Sequence, residues 1–424
     1  VIESMRILYL SQYFPPEVGA TQTRAVEMAR GLVRAGHHVT MIAEFPNHPT
    51  GIIPPEYRGR WFERAQLDGI EVIRVWVSAS PVKNFRTRLA FYLSYMLMAA
   101  LAGLFLARGK FDAIYATSPP LFVGGAALVI SYLRRIPLVF EVRDLWPESA
   151  VALGELRNQR AIRIAEWLER TCYRRAKRVV VVTRGIFDNL TSGGKLNPQK
   201  LVFIPNGANT DLFTYEPRVG FSLKESLGLG GKFVVLYAGI HGIAQGLETV
   251  IATAQKLTDD PDVHFLFVGE GPVKADIIAL AEANQLTNVT FHPAVPRNEM
   301  PGFLSAADVA LVPLKRLDLF QGALPSKMFD AWACNCPTLI TVDGEARAVL
   351  EQSEAGLFAE PENPDALTQA IRHLKGHRPE LRQMGERGRQ AVEQHYSRQA
   401  QAAQLVDLLA AITGAHSPRQ TNML

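Results

Sequence analysis

At 424 residues the chain is long enough for two or three domains, and 48% hydrophobic with 20% charged residues it describes a globular protein with a large core. Three cysteines exclude a disulfide framework; Cys334 and Cys336 have one residue between them and no second pair, so they do not make a zinc site, and a reducing compartment fits. The net charge of +4 hides an asymmetry: residues 1–206 hold 27 basic against 16 acidic residues (+11), the remainder 18 against 25 (−7). The first half therefore suits an anionic surface or substrate, unless the surplus is only a solvated face. No signal peptide is visible; Met5 reads as the native start, with Val1 to Ser4 a leftover.

Met5 to Ser11 reads as an apolar strand, Tyr13 to Thr23 as a loop holding Gly19, and Arg24 to Ala35 as a helix that Gly36 ends. His38 to Ala43 is the next strand. Strand, helix and strand with short connections make the unit of a parallel sheet. The three-glycine dinucleotide fingerprint is absent after the first strand, which argues against a nicotinamide or flavin enzyme. Val72 to Val77 is a further strand. Leu89 to Ala107 is almost wholly apolar, flanked by Lys83, Arg86 and Arg88 before it and Arg108 and Lys110 after it. It reaches the lower range for a membrane span, but it lies between strands of one pattern, where a span would split the sheet. A helix fully buried on the sheet and one with a face against lipid are both open readings.

Strands follow at Ala113 to Tyr115 and Leu138 to Val142, the second ending in Arg143-Asp144-Leu145-Trp146-Pro147. Polar residues past a strand's C-terminal end are where open α/β sheets place ligands, so Arg143 and Asp144 are candidates for substrate contact; a loop ion pair is the plain alternative. Ile162 to Lys177 is a basic amphipathic helix, and Val179 to Thr183 and Leu201 to Ile204 are strands. Asp211 to Gly231, rich in glycine and proline, reads as a linker. A second α/β pattern begins at the strand Phe233 to Ala238, with Gly239, Gly242 and Gly246 behind it and a helix from Leu247 to Leu257. Such glycines let a diphosphate approach the backbone. His264 to Val268 is a strand ending in Gly269-Glu270-Gly271-Pro272, and Asn288 to Phe291 is another. Asp260-Pro261-Asp262 sits at the wrong edge for a site and reads as a turn. After the strand Val309 to Pro313 come Gln321 and Gly322, then Leu324-Pro325-Ser326-Lys327 and Asp330. Pro325 suits the first turn of a helix. The helix end and Lys327 favour a phosphate, and Asp330, on the Lys327 face, could accept from ribose hydroxyls. An ordinary surface Lys–Asp pair is the competing reading. A helix from Arg398 to Ile412 and a polar tail, 413–424, close the chain.

Taken together, the Gly19 loop with Gly36-His37-His38-Val39, the turn Ile204-Pro205-Asn206-Gly207 with Asp211 and Phe213, Val268-Gly269-Glu270-Gly271-Pro272 and the stretch from Phe320 to Glu345 resemble the retaining glycosyltransferase family 4 of GT-B architecture. Tyr13-Phe14-Pro15-Pro16-Glu17, Phe45 to Gly51 and Arg143 to Glu148 are similar to bacterial O-antigen and capsule transferases of the N-acetyl-fucosaminyl transferase type. The resemblance implies an α/β fold of two doubly wound Rossmann-like domains facing across a cleft. Residues 5–210 would bind acceptor, 232–397 a sugar nucleotide, usually UDP-linked, and the helix 398–412 would cross back to the first domain. Asp330 matches the second acid of the family's Glu-x7-Glu motif, and Gly322 stands where the first would be. Ile240 and Gln245 stand where many members carry an Arg and a Lys, which leaves Lys327, the Gly239–Gly242 amides and the helix end to neutralise the diphosphate. Arg143 replaces a frequent His. Lys327, Arg143 and Asp144 are the expected catalytic residues. Gly19, Gly239, Gly242, Gly271, Gly322, Leu324, Pro325, Ser326, Lys327 and Asp330 are the expected donor-binding set. No metal site, resident cofactor or nucleic-acid partner is expected. The expected partners are a UDP-sugar and a lipid-linked saccharide, with peripheral contact to an anionic membrane at the cytoplasmic face.

Overall fold

The computed structural model describes residues 4–17, 19–48, 50–82, 84–152 and 156–414. The first three residues, Lys83 and the tail from residue 415 lie outside the described residues. Two compact units form, one of the chain up to Pro205 plus the stretch from Gln399, the other from Asn206 to Arg398.

The first unit is built on an eight-stranded sheet: β1 (Arg6–Leu10), β2 (His38–Glu44), β3 (Phe62–Leu67), β4 (Ile70–Val75), β5 (Ala113–Ser118), β6 (Leu138–Val142), β7 (Arg178–Val181) and β8 (Leu201–Phe203). Their order is β3-β4-β2-β1-β5-β6-β7-β8, and only β3 runs antiparallel to its neighbour β4. The inner strands are largely apolar and buried on both faces, as a parallel sheet covered by helices requires, whereas the edge strand β3 alternates exposed and half-buried residues. From β1 the chain winds to one side and from β5 to the other, so the order reverses between these two strands. One face packs against Tyr95, Ala99 and Ile130. The other packs against Ala25, Ala29 and Leu32, and against Leu405 and Leu409 of the late helix Arg398–Thr413. Gly31 lets that helix come close: a Cβ there would lie 2.2 Å from the Ala402 Cβ.

The second unit carries β9 (Phe233–Ala238), β10 (Val263–Val268), β11 (Val289–His292), β12 (Val309–Pro313), β13 (Thr338–Thr341) and β14 (Gly356–Phe358), all parallel. Their order is β11-β10-β9-β12-β13-β14. Here the reversal falls between β9 and β12. Crevices outside the strand ends at such reversals are where doubly wound sheets hold ligands.

Several elements differ from expectation. The helix expected from Arg24 starts at Ala20, so Thr21 to Thr23 are helical and Gly19 is its N-cap residue. The stretch read as a linker, Asp211 to Gly231, belongs to the second unit and contains a helix, Pro217–Ser226. Gly220 in that helix allows backbone approach, since a Cβ would stand 2.5 Å from the Ser305 carbonyl carbon, and Lys224 pairs with Asp308 at 2.8 Å. The apolar segment forms a helix from Phe85 to Leu101 with one wide turn continuing to Leu106, and it is not buried all round, because Leu97 and Phe105 are 59% and 77% exposed.

A buried charge network anchors the first unit. The Arg24 Nε donates to Glu141 Oε1 at 2.9 Å, and its terminal nitrogens donate to the Ile204 and Pro205 carbonyls at 2.9 and 2.8 Å. Tyr115 and Thr117 each donate to Glu141 at 2.6 Å. Burial opposes the Glu141 charge, but Arg24, Arg143 and these hydroxyls outweigh it and hold the carboxyl below its usual range. One guanidinium thereby ties the first helix to β6 and to the end of β8. Arg24→Met, which strands the buried carboxylate, is expected to lower stability by about 3–5 kcal/mol in chemical denaturation, with Arg24→Met/Glu141→Leu recovering part of the loss.

Candidate functional site

The sequence-predicted residues of the second unit converge on the β9–β12 reversal. β9 ends at Ala238 and Gly239 follows with φ +138°, a conformation that glycine tolerates and other residues rarely adopt. A Cβ on Gly239 would stand 2.3 Å from the Lys327 Nζ. Lys327 comes from the helix Ser326–Ala333, which follows β12. Its ammonium thus crosses the end of β9, donates to the Tyr237 hydroxyl at 3.0 Å and lies 4.4 Å from that ring's centroid. No carboxylate pairs with Lys327 among the described residues, and burial lowers its pKa to about 8.

The Lys327–Asp330 surface pair of the competing reading is not formed among the described residues. Asp330 instead faces Arg297, which follows β11, at 3.5 Å, while Arg297 lies over the Phe213 ring. Lys327 is left as a cation held by a neutral phenol, and a carboxylate sits on the same helix face three residues on. Pro325 is the N-cap residue of this helix, and no side chain caps its free amides. Leu324 is buried beneath that end. Gly322 closes a short turn, Asp318–Gly322, whose Gln321 backbone is met closely by Gly344.

The glycine loops after β9 and β10 pack backbone to backbone. A Cβ on Gly269 would come within 2.0 Å of the Gly239 oxygen, and one on Gly271 within 2.3 Å of the His241 oxygen. This packing corrects one expectation. The Gly239 amide donates to the Val268 carbonyl and the His241 amide to the Glu270 carbonyl. Of the Gly239–Gly242 amides, only those of Ile240 and Gly242 lack a backbone acceptor, so two of the four can meet an anion.

Sequence reasoning missed four residues here. Tyr237 supports Lys327. Lys274 holds the β10 loop by donating to the Gly269 carbonyl at 2.9 Å and to Glu270 at 2.7 Å. Arg297 pairs with Asp330. His241 is wholly buried beside the Tyr237 and Phe267 rings, both ring nitrogens lack a hydrogen-bond partner, and burial with Lys274 and Lys327 nearby lowers its pKa to about 4. A tyrosine closing an apolar strand and a histidine inside a glycine loop were the available signals.

The other predicted residues belong to the first unit. Gly19 caps the helix after β1, with an extended backbone that any residue adopts. Arg143 and Asp144 follow β6. Burial draws the Arg143 pKa down, while Glu141 opposes that. Asp144 accepts from Ser149 at 2.9 Å, and burial raises its pKa.

Two Rossmann-like units, each with parallel strands reversing order at a crevice, define the GT-B class of fold. The chain matches the Anabaena Alr3699/HepE structure in complex with UDP-glucose with a TM-score of 0.71 at 17% identity, over 96% of this chain and 100% of that one. Residues 19–207 match the family described as "Glycosyl transferase 4-like domain" and residues 222–391 the family "Glycosyl transferases group 1". These two domains span most of the sequence, and the chain is a glycosyltransferase of family 4. Among its relatives, Escherichia coli K12 WcaI, whose name assigns it to colanic acid biosynthesis, is 25% identical over 90% of this chain and 96% of its own. Pseudomonas aeruginosa WbjE, named as a glycosyltransferase, is 28% identical over 66% of this chain and 70% of its own. A GDP-mannose-dependent phosphatidylinositol monomannoside mannosyltransferase of Mycolicibacterium smegmatis is 25% identical over 52% of this chain and 58% of its own.

A phosphate beside Lys327 favours the charged amine and raises its pKa above about 8. Nucleoside diphosphate affinity is therefore expected to be full below pH 8 and to fall as pH rises through 8 to 9, with proton uptake on binding in that window. Calorimetry in buffers of different ionisation enthalpy reads both, and a flat profile would take Lys327 away from the phosphate.

Proposed function

We propose that the protein transfers a sugar from a UDP-sugar to a hydroxyl of a lipid-linked saccharide during cell-surface polysaccharide synthesis. The reaction would retain anomeric configuration and run at the inner face of the plasma membrane. The observation that carries this reading is the half-buried Lys327 ammonium, without a carboxylate partner among the described residues and aimed at Gly239 beside a free helix end. Burying a cation is costly unless an anion joins it, and a diphosphate supplies that anion. The uridine nucleotide is suggested by the UDP-glucose complex of the HepE structure, and the polysaccharide setting by the name of WcaI. The donor sugar we favour is an N-acetylated hexosamine or deoxyhexosamine, from the resemblance in the Arg143 to Glu148 stretch.

The chemistry follows from charge. As the sugar–oxygen bond breaks, negative charge moves onto the leaving diphosphate, and groups fixed to receive it lower the barrier. Lys327 supplies a full charge, and the Ile240, Gly242 and Ser326 amides supply donors. Because Lys327 already sits where burial disfavours its charge, the gain is greatest when the leaving group is most anionic. Asp330 accepts from the ribose hydroxyls. Asp144, partly shielded from water and steadied by Ser149, accepts from the acceptor hydroxyl, and Arg143 steadies anionic substrate. This charge neutralisation needs no metal ion.

The test is nucleotide release from a panel of UDP- and GDP-sugars, with and without a lipid-linked acceptor extract, in EDTA. Acceptor-dependent UDP release from one donor is expected. Conversion of the donor without acceptor would replace transfer by epimerisation, and nucleotide binding with no turnover would leave a sugar-nucleotide scaffold. Lys327→Ala is expected to lower turnover at least 100-fold, since removal of one charge-stabilising donor costs about 10²–10³ in rate. Asp330→Asn is expected to weaken UDP binding several-fold with less effect on turnover of bound donor.

A further inference from the structure

The first unit contains a cavity of about 470 Å³ whose walls are largely apolar. Leu89 and Tyr92 from the helix Phe85–Leu101, Phe122 from the helix Phe122–Arg134, Ile164 and Leu168 from the helix Gln159–Arg175, and Trp146 line it. Tyr92 stacks on Phe122 with centroids 5.7 Å apart, and Phe122 meets the edge of Trp146 at 5.7 Å. The volume falls within the range of small-molecule sites. Polar lining comes from Asn84 and Arg88, both at the N-terminal end of the first helix. Trp146 is two residues past Asp144, and its amide donates to the Asp144 carbonyl at 3.0 Å. The cavity wall therefore begins where the candidate acceptor residues end.

The cavity opens along an apolar track. Beyond Leu89 the same helix places Leu93, Leu97, Leu101 and Phe105 at four-residue spacing, and they are 39%, 59%, 40% and 77% exposed. Side chains at that spacing share one face. A long hydrocarbon can leave the cavity and continue along this face, with a charged head near Arg88.

We propose that this cavity receives the hydrocarbon chain of the lipid-linked acceptor, its phosphate beside Arg88. The inference rests on the lipid-linked acceptor of the proposed function. A bulk phospholipid would contact the exposed track; a half-open aromatic cavity next to Asp144 favours a chain that brings its own saccharide to that residue. The basic surplus of the first half, 27 Lys and Arg against 16 Asp and Glu, complements the phosphate head.

The direct test uses farnesyl diphosphate and dimethylallyl diphosphate, which carry the same head on long and short branched chains. With the full chain below the detergent threshold of either probe, calorimetry is expected to show farnesyl diphosphate binding at least about tenfold more tightly, since each buried methylene adds to affinity. Ala161→Trp, which fills the cavity, is expected to abolish that preference and leave UDP affinity and the melting temperature unchanged. Ile164→Asp, at a position 65% exposed, gives the same loss through a tolerated site should the first variant fold poorly. Equal binding of the two diphosphates, or an unchanged preference in a folded variant, would overturn the proposal. So would phosphatidylglycerol vesicles displacing farnesyl diphosphate from the wild type and losing the protein in both variants, because the cavity would then hold bulk lipid. The binding assay needs no turnover: a retained chain preference without sugar transfer would count against the reaction and for the cavity.

Discussion

The candidate site of the second unit depends on a cation laid across a glycine. Lys327 reaches the end of β9 because Gly239 has no Cβ to obstruct it, and the Tyr237 hydroxyl receives it at 3.0 Å. Each partner limits what else can stand nearby. A side chain at position 239 would meet the ammonium, one at 269 would meet the Gly239 carbonyl, and one at 271 would meet the His241 carbonyl. The two loops therefore close on one another and leave a backbone surface with the half-buried Lys327 charge at its edge. In water that arrangement is strained electrostatically, as the depressed Lys327 pKa of about 8 records. Under the proposed function a diphosphate would relieve that strain, and a leaving diphosphate, carrying more charge, would relieve it further. On that proposal, binding and rate acceleration share one physical cause.

His241 fits the same economy of charge. Its neutral ring lies under the loop beside Tyr237 and Phe267, where a third cation next to Lys327 and Lys274 would be repelled, and those lysines add to burial in lowering its pKa to about 4. The loop keeps one mobile cation facing the crevice. Lys274 spends its charge internally, on the Gly269 carbonyl and Glu270.

How much of this was legible depended on whether local pattern or tertiary context decided each feature. β12, β6 and β9 were readable to the residue because they are apolar runs, interrupted only by Glu141 in β6. The helix end was readable from Pro325, which was expected in the first turn and stands one residue earlier, as the N-cap. β3 was not, since Phe62–Leu67 alternates polar residues on an edge strand; Asp68 and Gly69, both with positive φ, were the hairpin signal that could have found it. β14 is three residues long and its first is Gly356, which has no propensity to report. Composition misassigned Asp211 to Gly231, because Gly220 there serves helix packing and not flexibility. The Asp330 partner could not be read at all: Arg297 is 33 residues away, and only the sheet order brings it near.

The apolar helix poses the opposite problem, a local pattern stronger than its context. From Phe85 to Leu106 it is long and apolar enough to cross a membrane, yet it connects β4 to β5 within one parallel sheet. Its inner residues, Tyr95 and Ala99, are fully buried against that sheet, and the Tyr95 hydroxyl donates to the Ile42 carbonyl at 2.9 Å. Withdrawing this helix into a bilayer would strip the sheet of one cover and leave a buried carbonyl without its donor. Leaving its outer face in water forgoes roughly 1.5–3 kcal/mol for each large aliphatic side chain that could be buried. Leu93, Leu97, Leu101 and Phe105 lie on that outer face together. A helix fixed by its inner face to a sheet and apolar on its outer face satisfies both constraints by lying along an apolar surface rather than through it.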